Sequence, residues 1–431
     1  MTLNETELTQ STQICPFHHA RLPLPSGLRA MPALGPSWWN NPNMSGLINT
    51  FHGRSFRWLN QFVSYFMEWR TKHSISTAST PQVNAGVRHP NTPSQKLVKS
   101  IVAMNDPIYR REFDAHKLMA AYPPRLNNHN KQVVFEMSSP RGANHSGKIS
   151  VARWRQMPLP DAFSRNTTCP KFELREDYFT YDSNTHERCD WYLNFAHYDL
   201  FCAYGGPLFA QDEMQVTEHP ALGSLRHALL DSGDDPLTVE NGVATPILIM
   251  GVERRCVVAT DINRDEGRPY GLYGNHFSRA SEQAIRQATR ILNPPTTSNI
   301  IAMEAPACGN GRYTREQIEY VLSTTFTGFR AAVYESRRNV SQQVQTAIHT
   351  GYWGCGAYGG NRELMPLLQM IAACCSDIDV LIFHTGGDSR GYAQSVKTFA
   401  EILPTDVNMN TSDLLARIEG IGYTWGVSDG N

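Results

Sequence analysis

The chain has 431 residues, 41% apolar and 18% charged, with a formal net charge of −1 at pH 7. That length holds two or three average domains, or one large domain with an accessory region, and leaves ample material for a core. The balanced charge gives no footprint for a polyanion-binding surface, so direct nucleic-acid binding is not expected.

In chain order, residues 1–13 are polar and lack the apolar core of a signal peptide. The cytosol is therefore the expected compartment, a host cytosol if the protein is a secreted effector. Cys15-Pro-Phe-His18-His19 resembles half of a zinc site but stands without a partner pair, so no metal is expected. Residues 1–50 are rich in proline, asparagine and aromatics. From Ser55 to Arg70 the spacing of Leu59, Phe62, Phe66 and Trp69 predicts a helix, too short and too charged to span a bilayer. His73–Lys96 reads as a linker. Lys96–Tyr122 reads as helical, and Pro123–Asp190 is mixed. Regular patterning begins near Trp191. The expected organisation is an N-terminal helical and irregular region with its linker (1–95), an accessory region (96–190) and the main domain (191–431).

Within that domain strands and helices alternate. Pro246–Met250, Cys256–Ala259 and Ile300–Met303 read as strands, and Ser278–Leu292 as an amphipathic helix. Thr314-x-x-Gln317 forms a capping box that opens a long helix through Tyr334. A strand near Val344–Ile348, a glycine-rich loop, a helix behind Asn361, a strand at Val380–Phe383 and a helix at Ser389–Leu403 complete the pattern. Such alternation predicts an α/β fold, a sheet covered by helices. Nine cysteines without a CxxC do not make a disulfide framework, and Cys374-Cys375, on the apolar stripe of the helix behind Asn361, read as buried thiols.

The loop His349-Thr-Gly-Tyr-Trp353-Gly354-Cys355-Gly356-Ala357-Tyr358-Gly359-Gly360 is the strongest signal in the chain. Glycines permit positive φ and close approach of a ligand to the backbone, and the helix start behind them favours an anion. Phosphate binding is the expectation. The literal GxGxxG within it does not predict a nicotinamide enzyme. The loop lies in the last fifth of the chain, and Asp377 and Asp379 precede the next strand instead of ending it.

A second constellation runs from Asn194-Phe-Ala-His197 through Gly205-Gly206 to Gln211-Asp212-Glu213. Adjacent carboxylates at a helix start point about 100° apart. One can hold sugar hydroxyls while the other protonates a departing atom and activates water, as glycoside cleavage requires. At a helix start the same pair also complements the dipole.

Both stretches, in this order, resemble the poly(ADP-ribose) glycohydrolase family, macro-domain hydrolases that remove ADP-ribose units. Gly351-Tyr-Trp-Gly-Cys-Gly-Ala-Tyr-Gly-Gly-Asn361 follows the family's diphosphate loop nearly residue for residue, and Gln211-Asp212-Glu213 stands for its Gln-Glu-Glu. The stretch Asn299–Ala305 and the strand and Gly-Asp of Val380–Asp388 are also similar, so the resemblance spans roughly 191–403. It implies a macro-domain-like mixed sheet flanked by helices. It further implies Glu213 as catalytic acid/base and Asp212 as the carboxylate on the ribose hydroxyls. The same resemblance implies that Trp353 and Gly354–Gly360 wrap the diphosphate, that Gln211, Asn194, His197, Gly205 and Gly206 border the ligand, and that Tyr273 or Phe277 stacks on adenine. No cofactor is implied. The implied ligand is ADP-ribose and the substrate an ADP-ribosylated protein.

The sequence departs from the family at four places. Phe201-Cys202-Ala203 occupies the place of the family's triple glycine, His197 replaces an Asn, Asn194 an Asp, and Asp212 is one methylene shorter than Glu. Effectors that take single ADP-ribose units off arginine are similar in outline, so the bond cleaved is either ribose–ribose or ribose–arginine, with His197 a candidate second acid/base. Two further readings are a non-catalytic ADP-ribose-binding module and a cysteine hydrolase using Cys355 with His349 or His384.

Overall fold

In a computed structural model of the chain, residues 106–140, 143–165, 169–181, 187–405 and 407–430 are described. The Ser55–Arg70 helix, the 73–96 linker and the Cys15/His18/His19 half-site lie outside them. No helix among the described residues is long and apolar enough to cross a membrane.

Among the described residues twelve strands are formed: β1 (Pro107–Asp114), β2 (Lys148–Trp154), β3 (Ala162–Ser164), β4 (Lys171–Arg175), β5 (Arg188–Phe195), β6 (Val239–Glu240), β7 (Val243–Ala244), β8 (Ile247–Val258), β9 (Thr289–Met303), β10 (Gln345–Thr350), β11 (Val380–His384) and β12 (Asn408–Asn410). Eight of them make one sheet in the order β1-β2-β8-β9-β5-β10-β11-β4. The β1, β2, β8 and β9 half is antiparallel, and β9, β5, β10, β11 and β4 run parallel. The fold is thus the expected mixed α/β sheet. Strand β5 is buried at six consecutive positions, as a central parallel strand covered on both faces must be.

The helices are α1 (Ala115–Ala121), α2 (His129–Ser138), α3 (Gln211–Glu218), α4 (Ala221–Asp231), α5 (Glu282–Ala288), α6 (Arg315–Asn339), α7 (Leu364–Ala373), α8 (Arg390–Ile402) and α9 (Thr411–Ile421). The capping box at Thr314 and Gln317 opens α6 as its spacing requires, and the helix continues five residues beyond Tyr334. With α7 it covers one face of the sheet over a core that holds Trp191, Trp353 and Phe329. Helix α7 is buried at all ten positions, so its apolar stripe is part of an apolar cylinder.

Four expectations are corrected. Residues 107–190 are not accessory to a domain beginning at 191, because β1, β2 and β4 are strands of the same sheet as β5. Residues 107–114 are a strand, so of Lys96–Tyr122 only 115–121 is helical among the described residues. The helix expected over Ser278–Leu292 ends at Ala288, and β9 begins at once, pairing with a continuous β8 that absorbs two register shifts. Antiparallel pairing of two long strands outweighs the helical periodicity of residues 289–292. Finally, Cys374 is not a thiol: a disulfide joins it to Cys169, while Cys375 stays free.

Candidate active site

The carboxyl ends of β5, β9, β10 and β11 deliver the loops that follow them to one edge of the sheet, where open α/β sheets bind ligands. The β5 loop leads into α3 and its acidic pair. Behind β9 stands Glu304, behind β10 the glycine loop, and behind β11 Gly386-Gly387-Asp388.

Asp212 and Glu213 occupy the first turn of α3 and are 7% and 4% exposed. Glu213 Oε2 accepts the N–H of Ala210 at 3.1 Å, which fixes its carboxyl over the helix start. Asn194 Nδ2 donates to Asp212 Oδ1 at 3.1 Å, so the end of β5 holds the second carboxyl. The Asn194 Oδ1 beside it is buried and has no hydrogen-bond partner among the described residues. Burial, and then the charge of Glu213, push the Asp212 carboxyl up to about 7. Burial raises Glu213 as well, against the pull of Lys131. Two buried carboxyls this close hold a proton near neutrality, the state a general acid needs. Lys131 is the nearby cation: buried on α2, it donates to Tyr204 O at 2.7 Å, and its ammonium is depressed to about 8, chiefly by burial.

Gln211, expected to border the ligand, braces the backbone instead. Its Oε1 accepts from Phe195 N at 2.8 Å and its Nε2 donates to Leu193 O at 2.9 Å, extending the edge of β5 toward α3. His197 is half-buried; its Nδ1 accepts the N–H of Asp199 at 3.2 Å and contacts Cys202 Sγ at 3.4 Å. Burial lowers its pKa, which leaves it neutral and bound to its own loop. Where the family has glycine, Phe201 takes φ +55° and buries its ring completely, so this loop reaches the left-handed turn with a side chain that anchors it. Gly205 serves packing: a Cβ there would lie 2.3 Å from Arg125 O. Gly206 closes the same turn through Ala203 O.

The glycine loop is a backbone cradle. Gly354 (φ +75°) and Gly359 (φ +67°) take left-handed turns, and a Cβ on Gly354 would meet Ala305 Cβ at 2.5 Å. The N–H groups of Gly354, Gly356, Ala357 and Tyr358 have no acceptor among the described residues, the arrangement that binds diphosphate oxygens. The helix start behind the loop contributes less than expected. Asn361 Oδ1 accepts from both Glu363 N and Leu364 N at 2.9 Å, so the first N–H groups of α7 are already capped.

Two expected ligand contacts belong to the core. Trp353 is fully buried and donates to Met303 O at 3.0 Å. Phe277 is fully buried and stacked on Phe209 at 3.9 Å, so of the two candidates for adenine only Tyr273, 38% exposed, presents a ring. Cys355 fails as a nucleophile: it is buried, its thiol is pushed up to about 12, and Sγ faces Trp353 O at 3.6 Å. His349 and His384 are hydrogen-bonded to each other at 3.0 Å, with Asp190 and Asp177 at the two ends of the chain.

Two residues at the site were not singled out from the sequence. Glu304 accepts from Tyr198 N at 3.0 Å and from the Tyr358 hydroxyl at 3.3 Å, tying the glycine loop to the β5 loop. Asp429 lies against the cradle, its N–H reaching Gly356 O at 3.4 Å. Glu304 is foreshadowed only by its place after an apolar strand, and Asp429 by nothing local.

A mixed sheet thus carries a backbone cradle and a carboxylate pair at one edge, an arrangement comparable with macro-type α/β folds. The family model described as poly (ADP-ribose) glycohydrolase (PARG), macro domain fold, matches residues 258–392, from the end of β8 to the start of α8. Over that stretch the chain is similar to the poly(ADP-ribose) glycohydrolase family. The matched stretch holds the glycine cradle but begins after the acidic pair. Among solved structures, the poly(ADP-ribose) glycohydrolase of Thermomonospora curvata is similar over 72% of this chain and 92% of its own, at 16% identity and a TM-score of 0.34. That of Deinococcus radiodurans in complex with ADP-ribose is similar over 73% and 98%, at 13% identity and a TM-score of 0.32.

Proposed function

We propose that this chain hydrolyses the glycosidic bond that joins ADP-ribose units, with an ADP-ribosylated protein of the cytosol as substrate. The observation that carries the reading is a buried carboxyl pair, both members raised by burial and Asp212 to about 7, at the same sheet edge as a glycine cradle with open N–H groups. The cradle takes the diphosphate, and Asp212 with Asn194 Oδ1 takes the hydroxyls of the distal ribose. Glu213 in its acid form gives its proton to the departing oxygen as the C1–O bond breaks. Water then adds to C1 and returns a proton to the Glu213 carboxylate, which restores the acid.

The test is release of ADP-ribose from a poly(ADP-ribose) chain and from an arginine-mono-ADP-ribosylated protein, by wild type and Glu213→Gln. Release from the polymer, lowered at least ~100-fold in the variant, is expected. Release from the arginine substrate alone would reassign the bond. Binding of ADP-ribose without release from either would leave a binding module and reject the hydrolase.

A further inference from the structure

A cavity of about 350 Å³ lies on the β5 loop, between residues 125–127, residues 202–208 and the Arg226-His227 pair of α4. That volume is at the lower end of small-ligand sites. Its wall carries the guanidinium groups of Arg125 and Arg226. Arg226 is already paired with Asp199, through Nη2 and Oδ2 at 2.9 Å. His227 Nε2 contacts the Tyr204 hydroxyl at 2.8 Å. Arg125 is held by its backbone, with its N–H donated to the Tyr204 hydroxyl at 2.6 Å and its carbonyl packed where Gly205 lacks a Cβ. Its guanidinium is exposed and has no acceptor among the described residues. The backbone clamp holds an arginine at the cavity while leaving its fork open to a ligand.

We propose that this cavity is a second anion subsite, which holds a phosphate of the ADP-ribose unit on the leaving side of the scissile bond. The inference rests on the hydrolase reading above and narrows its substrate to chains of at least two units. The link between cavity and cradle is Cys202. It lines the cavity, and its Sγ contacts His197 Nδ1 at 3.4 Å, next to Tyr198, whose N–H is accepted by the Glu304 carboxylate that also accepts the Tyr358 hydroxyl of the cradle. A substrate with its diphosphate on Gly354–Tyr358 and its distal ribose at Glu213 continues past Cys202 toward Arg125 and Arg226. A guanidinium fork matches phosphate oxygens bidentately.

The experiment is titration calorimetry on full-length Glu213→Gln with ADP-ribose and with a two-unit ADP-ribose dimer, repeated with Arg125→Ala, Arg125→Lys and inorganic pyrophosphate. The dimer is expected to bind about tenfold tighter than ADP-ribose, the scale of one charge-assisted hydrogen-bonded contact. Arg125→Ala removes that gain and leaves the ADP-ribose affinity as it was, while Arg125→Lys keeps part of it. Equal affinity for dimer and monomer, or an equal loss for both on Arg125→Ala, overturns the subsite. Pyrophosphate that is displaced by the dimer but not by ADP-ribose supports it; pyrophosphate bound with no effect on dimer affinity makes it a free-phosphate site and overturns the assignment. Failure of ADP-ribose itself to bind rejects the function reading first, and the subsite with it.

Discussion

The carboxylate of Asp429 rests on Gly356, with Oδ2 3.1 Å from the position a Cβ would take there. The segment that carries it is laid along the cradle by several contacts. Gly426 N donates to Gly359 O at 2.8 Å, Asn361 Nδ2 donates to Thr424 O at 2.8 Å, and Trp425 stacks on Tyr313 at 4.3 Å. An anion therefore sits at the backbone that is to receive a diphosphate. Asp429 is exposed, so its repulsion is screened but not abolished. Asp429→Asn is expected to tighten ADP-ribose binding by about 3- to 10-fold at low salt, with the gain shrinking as salt is raised. Calorimetry at two ionic strengths measures this, and unchanged or weaker binding would show that the carboxylate does not oppose the ligand.

The acid pair gives activity and stability opposite dependences on substitution. Asp212 has a folded pKa near 7, raised by burial and by Glu213 above its ordinary value near 4. The folded state thus binds the extra proton between about pH 4 and pH 7, so this group's contribution to stability falls as pH rises through that window. Above pH 7 the full cost of the buried charge is present; at pH 4 it is absent. Asp212→Asn, which keeps an acceptor for Asn194, should therefore raise Tm at pH 8 by on the order of 1–4 °C and leave it unchanged near pH 4. Activity should fall in the variant. In the wild type it should decline above neutrality as the pair loses its shared proton. A Tm gain independent of pH would assign the effect to packing instead.

The parts of the site that were legible in the sequence are those written in short, contiguous runs. The loop from Gly351 to Asn361 announces its turns through glycine, and Asp212-Glu213 announces itself as two carboxylates at a helix start. What could not be read is set by contacts between distant residues. Phe277 and Trp353 look like ligand aromatics until Phe209 and Met303 cover them. Gln211 looks like a ligand residue until the backbone of β5 takes both ends of its amide. The sheet's first strands escaped because β1 carries charged residues at Arg110, Arg111 and Glu112 on an edge, where alternation is weak. Asp429 is brought to the cradle only by tertiary packing, which no local pattern encodes.

Two cysteines near the site should respond differently to alkylation. Cys355 is buried beneath the cradle, with a thiol near 12, and Cys202 is exposed beside the acid pair, with a thiol near 11. Both react slowly, since little thiolate exists at neutral pH. At pH 9 prolonged iodoacetamide should label Cys202 and inhibit by bulk, and Cys202→Ala should protect. Mass mapping of the labelled site with parallel assay decides this. Inhibition that persists in Cys202→Ala and follows labelling of Cys355 would revive the cysteine mechanism.

Gly354 is the residue on which the cradle's shape depends most directly. Its φ of +75° is unfavourable for any residue with a Cβ, and that Cβ would lie 2.5 Å from the Cβ of Ala305, which follows Glu304 at the end of β9. The neighbour cannot yield cheaply, because Ala305 is itself buried and packed in the core under the loop. Gly354→Ala is therefore expected to destabilise the fold by roughly 2–4 kcal/mol, from strain in the backbone and overpacking together. ADP-ribose binding should be lost in the fraction that still folds. The paired change Gly354→Ala with Ala305→Gly separates the two causes. It removes the overpacking and leaves the strain, so denaturant unfolding should recover part of the lost stability and no more. Full recovery would mean that the left-handed turn carries no cost and that the glycine is there for space alone.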